Sequence, residues 1–225
     1  MKKIISLAMA ALMVCSIANA QSKETFKERK QMSKLTKTEL EAKVSKATKK
    51  EAKVLVKEGW KVAPGHLPLE KQLERSYKMN YEFDDNGLPK YIMGDAMSPG
   101  KFYDAAKAQA VEIAKTNLAG QIETEVTALI ESTVANEQIS QDDAESIART
   151  VSASKNLIVQ RLGRVIPVVE LYKQHSKKSV EVRVTIAYNA EMALEAAKAV
   201  IKAQLNDKGE DLHNQIDDMW NNMKK

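Results

Sequence analysis

Metal binding and acid–base catalysis need ligands or carboxylates set beside one another, so the ionisable side chains come first. The three histidines, His66, His175 and His213, are scattered, and none has a His-x-x-x-His neighbour. Each stands among turn or surface residues and reads as a surface or capping histidine. Asp84-Asp85-Asn86 starts like a calcium loop, but Gly87 comes too early for that loop's glycine, which leaves a plain turn. Glu123, Glu125 and Glu131 fall on alternate positions of a run read below as a strand, where they make a solvated face rather than a catalytic pair. Nucleophile-elbow, P-loop and dinucleotide glycine patterns are absent. No metal site and no cofactor is expected. A hydrolase would require the fold to join His66 or His175 to distant carboxylates around a pocket.

Lysine is the one residue type whose spacing suggests a surface. Lys43, Lys46, Lys49, Lys50, Lys53 and Lys57 recur at three- and four-residue steps and make a basic stripe on a helix expected over residues 36–58. Such a stripe is either a solvated face laced by Glu51 and Glu58 or a patch for anionic headgroups and envelope polymers. The charge is uneven along the chain. Residues 22–61 hold 13 Lys or Arg against 6 Asp or Glu, whereas the remainder to Lys225 is acidic by four charges. Aromatics are only 5% of the chain and do not interleave with the basic residues, so nucleic acid is not an expected partner.

The address is written at the start. Lys2 and Lys3 precede an apolar run from Ile4 to Ile17, and Ala18-Asn19-Ala20 supplies small residues at minus three and minus one. Residues 1–20 read as a secretory signal peptide cleaved after Ala20, and the run is too short for a membrane anchor. The only cysteine, Cys15, follows Val14 rather than a small residue, which argues against lipidation. Once the signal is removed no cysteine remains, so disulfides, thiol catalysis and cysteine metal sites are excluded.

Four regions follow from the patterns. Residues 21–100 form a basic helical N-terminal region: the helix over 36–58 with a capping box at Thr36 and Glu39, the connector Trp60–Pro68, a helix through Leu69, Leu73 and Tyr77, and a short strand over Lys90–Met97. Ser98-Pro99-Gly100 breaks the chain. Residues 101–207 are expected to form an α+β domain. An Ala-rich helix runs from Phe102 to Leu118. After Gly120, Ile122, Thr124, Val126, Ala128 and Ile130 alternate as a strand. A helix through Ile147 and Val151, a β-rich run over 157–172 and the alternating strand Val180–Tyr188 come next, and a helix capped by Asn189 closes the domain. Residues 208–225 read as a short amphipathic tail. The expected architecture is an antiparallel sheet of three or four strands with Ala-rich helices on one face, preceded by an N-terminal helical region.

The runs AAKAQAVEIAKTNLAGQIETEV and NLIVQRLGRVIPVVELYKQHSKKSVEVRVTIAYN, separated by a polar helix, resemble the twenty-kilodalton lipoprotein family of bacterial envelopes. They are also similar to the related N-terminal domain of the flagellar outer-membrane ring protein T. The resemblance covers roughly residues 101–205 and implies an envelope-associated module for interaction or assembly, with no enzyme activity. The expectation is an exported, non-enzymatic envelope protein in the periplasm, at the outer membrane or secreted. Its partners are another envelope protein, a second copy of itself or an anionic membrane surface.

Overall fold

The computed structural model describes residues 43–85, 87–136, 139–176, 179–205 and 210–223, and residues 44–225 belong to one compact unit. The expected signal peptide with its cleavage point and Cys15, the expected capping box at Thr36 and Glu39, and Lys208-Gly209 lie outside the described residues; the described helix begins later than expected, at Lys46 with Ser45 as its cap. The order is α1 (Lys46–Lys57), α2 (Leu69–Asn80), β1 (Tyr91–Gly100), α3 (Tyr103–Ala135), α4 (Gln141–Ala153), α5 (Lys155–Arg161), β2 (Ile166–Ser176), β3 (Ser179–Asn189), α6 (Ala190–Gln204) and α7 (Glu210–Met223). The fold is α+β. Its three strands form one antiparallel sheet in the order β1-β3-β2.

The alternation of β3 decides which side each helix takes. Val180, Val182, Val184, Ile186 and Tyr188 point to one core with α3 to α7, while Ala187 points to a second core with Trp60 and the buried residues of α1 and α2. The Ala-rich helices therefore share one face of the sheet, and the N-terminal helices cover part of the other. Ser45 caps α1 and Asn189 caps α6, each side chain accepting a backbone N–H of the first turn.

α3 is a single helix of 33 residues, where a helix followed by a strand is expected. Ile122, Val126 and Ile130 are buried while Thr124 and Ala128 are exposed, so the four-residue step governs and the two-residue step is a coincidence of the same positions. The buried stripe Ala106, Ala110, Ala114, Leu118, Ile122, Val126, Ile130 keeps a step of four. On a helix of 3.6 residues per turn that stripe turns by about 40° at each step. Its first half thus meets the sheet, and its second half meets α4, α5, α6 and α7. Gly120 sits inside the helix and does not end it.

Other expectations also change. Residues 157–161 belong to α5 rather than to a strand, because Ile158 is fully buried against the helical layer while Leu157 is exposed. β1 continues through Ser98-Pro99-Gly100 to the pair Gly100↔Val180. Pro99 fits there because β1 is an edge strand. The division at residues 100 and 101 thus falls between two elements that pack together, β1 and α3. The contact is close: a Cβ on Gly94 would collide with the carbonyl oxygen of Ala114 and lie 2.9 Å from Leu118 Cβ. The C-terminal segment is amphipathic as expected, but its apolar face is core. Leu212, Ile216, Met219 and Trp220 are buried, and Lys198 and Lys202 of α6 hold Asp217 at 2.9 and 2.7 Å.

The connector between α1 and α2 runs along β2. Lys61 and Tyr172 exchange backbone hydrogen bonds, and Glu170 N–H donates to the Gln72 side chain at 2.7 Å. Gln72 in turn donates to the Leu67 carbonyl at 2.7 Å. Through these bonds the outer edge of β2 is occupied from Glu170 to Tyr172.

A candidate binding cleft beside a buried carboxylate

Glu170 is an acid inside the apolar run Val168-Val169-Glu170-Leu171, and its side chain is only 7% exposed. A buried carboxylate must find donors. The Tyr103 hydroxyl from the first turn of α3 donates to it, Lys107 one turn later lies 2.8 Å away, and His66 Nε2 from the connector lies 3.2 Å away, all at the same oxygen. Burial alone pushes the Glu170 carboxyl up. Hydrogen bonds from Lys107 and Tyr103, with the charges of Lys107 and His66, outweigh burial and hold it below the ordinary carboxylate range. Burial first, then the bond to Glu170, pushes the Tyr103 hydroxyl well above the usual phenol range.

Beside this cluster opens a cleft of about 600 Å³. Tyr103 and Tyr172 form one wall, their rings 5.6 Å apart and nearly perpendicular at 78°. Ala63 and Pro64 of the connector form another, and Val180 and the exposed Phe102 complete the apolar lining. Lys101 stands at the rim with its ammonium 5.3 Å from the Phe102 ring centroid. Chemically, Glu170 already holds three donors at one oxygen and, kept below the ordinary carboxylate range, is a poor proton acceptor at neutral pH. Among the described residues no hydroxyl or thiol is bonded to His66, so the arrangement offers contact surfaces and one cation rather than an activated nucleophile.

The fold joins His66 to a carboxylate, which the spacing of the histidines does not announce. His175 also meets one, Glu181 across the hairpin at 3.0 Å, on the surface. His213 Nε2 donates to the Leu205 carbonyl at 3.3 Å. The Asp84 turn is observed, with Gly87 at φ +80° and Leu88 N–H donating to the Asp84 side chain at 2.8 Å; Asn86 lies outside the described residues. Glu123, Glu125 and Glu131 lie on helix α3 instead of on one strand face. Glu123 accepts from Ser152 at 2.6 Å and pairs with Lys155 at 3.1 Å, and Glu125 and Glu131 are exposed. No group of three metal-ligating side chains occurs among the described residues, and no described helix is long and apolar enough to cross a membrane.

Among the expected surface lysines, Lys43 is exposed ahead of α1. Thr48, Ala52 and Leu55 are the buried side of α1. At about 100° per residue, Lys46, Lys50, Lys53 and Lys57 project from the opposite side and Lys49 stands on its flank beside Val56. All five are exposed, and among the described residues none forms an ion pair. Glu51, which could lace the stripe, instead accepts the Tyr77 hydroxyl from α2.

The cleft residues Lys101, Phe102, Tyr103 and Tyr172, and Glu170 behind them, are missed by reading motifs. One signal was available: an acid on a strand between buried valines and a buried leucine is the informative exception to apolar burial. No family model, curated protein or solved structure matches the chain.

Proposed function

We propose that this is an exported, non-enzymatic protein of the cell envelope that acts as a binding or assembly module. The observation that carries the reading is the cleft itself: its walls are aromatic and apolar, and the ionisable groups behind it spend their hydrogen bonds on one another. Concave apolar surfaces with few polar groups are the usual form of a binding site. Export is supported by the pattern of residues 1–20, and the envelope by the resemblance over residues 101–205. The partner is another envelope protein or a second copy of this chain.

The test places a photo-crosslinking amino acid at Phe102 and, as a control, at exposed Leu157, in cells that are then fractionated. A mature mass beginning at Gln21 and an envelope adduct from position 102 alone are expected. Turnover of a substrate by the purified protein, abolished by His66→Ala, would overturn the reading.

The lysine stripe of α1, which forms no ion pair among the described residues, favours a second reading, a peripheral binder of anionic membrane surfaces. A lysine near an anionic surface contributes about 1 kcal/mol. Replacing Lys46, Lys49, Lys50 and Lys53 by Ala should then lower partition onto vesicles containing phosphatidylglycerol by roughly a hundredfold or more. Binding that ignores added salt would count against it.

A further inference from the structure

We infer that the cleft between the connector and the first turn of α3 takes a flat aromatic ring bearing one negative charge. This rests on the binding-module reading and names the chemistry of its ligand. Three observations lead to it. The perpendicular Tyr103–Tyr172 pair presents one ring face and one ring edge, a corner into which a third flat ring fits by stacking on one and meeting the other edge-on. Pro64 and Val180 close the sides with surfaces that offer no hydrogen bond, so the body of the ligand is apolar.

Charge supplies the third point. Lys101 is the exposed cation of the rim and forms no ion pair among the described residues. Glu170, the acid behind the wall, is buried and already holds Tyr103, Lys107 and His66, so it does not neutralise the rim. A carboxylate on the ligand ring would meet Lys101, and the Tyr172 hydroxyl, for which no bond is seen among the described residues, is a second donor.

The probe pair is 2-naphthoate and its neutral counterpart 2-naphthamide, titrated calorimetrically into the purified protein at low salt. Saturable binding of naphthoate is expected, with the amide about fivefold weaker, the size of one exposed charge contact. Lys101→Gln should bring the two probes to equal affinity. Phe102→Ala should weaken both, and because both side chains are exposed, unchanged thermal melts would verify that the variants fold. The absence of saturable naphthoate binding at millimolar concentration, equal affinity of the two probes for the wild type, or a Lys101→Gln protein that still prefers naphthoate each overturns the inference. An envelope adduct at position 102 without naphthoate binding would overturn this ligand class alone and leave the binding-module reading standing.

Discussion

At the scale of single residues, Glu170 couples the stability of the protein to pH. Its folded pKa lies below its unfolded value of about 4.3, so the stabilisation is present above that value and is lost as pH falls through the folded one. Asp217 has the same sign through its hydrogen bonds from Lys202 and Lys198, and Glu74 through its hydrogen bond from Thr48. Urea midpoints measured from pH 7 downward should stay level until about pH 5 and then fall steadily. In Glu170→Gln the neutral amide still accepts a hydrogen bond but leaves Lys107 without a counter-charge. Lys107 is about a third exposed. Water therefore screens much of the loss, and about 1–2 kcal/mol of destabilisation is expected, with a weaker fall below pH 5.

At the scale of elements, the junction of β1 and α3 depends on the absence of a side chain. Gly94→Ala would drive a methyl group into the Ala114 carbonyl, and both partners are backbone-fixed. A loss of about 3 kcal/mol or more, read from the urea midpoint, is expected, since overpacking a filled core costs this much when nothing can yield. Gly120 gives the opposite outcome. A Cβ there would come within 3.1 Å only of the Lys155 ammonium, the mobile end of a side chain. Gly120→Ala should raise stability by about 0.5–1 kcal/mol through helix propensity. α3 also explains where sequence reading failed. Ile122, Val126 and Ile130 are four residues apart, a step that belongs both to a two-residue alternation and to a helical stripe, so the two are indistinguishable over ten residues. Only continuation of the step of four back to Ala106 separates them. The Leu157-Ile158-Val159 run misleads in a related way, since β-branched residues favour strands until packing on a helical layer overrides the preference. β3 was legible because five consecutive alternate positions share one face and no competing period fits them. The cleft was not legible. Its walls come from positions near 63, 102, 172 and 180, and no local pattern in a sequence records that such positions meet.

At the scale of the whole molecule, the C-terminal helix behaves as a wedge in the main core rather than as an appendage. Trp220 is 1% exposed and Ile216 fully buried, against residues that reach back to β1. Trp220→Ala should destabilise by about 3–5 kcal/mol. Circular dichroism during heating should show the sheet and helices lost in one transition at a lower temperature. A separate early transition confined to a few residues would instead mark α7 as a docked tail.

The hydrogen bond from Glu170 to Gln72 spans 98 positions, and the Thr185–Asp95 side-chain bond that links β3 to β1 spans 90. β1 has no strand to pair with until β3 has been made, and the connector has no edge to lie on until β2 exists. Closure therefore comes late in synthesis, after about four fifths of the chain has left the ribosome, because loop closure over such distances precedes its reward. A chain that closes so late leaves its first elements open to capture by other factors for longer than one whose contacts are local.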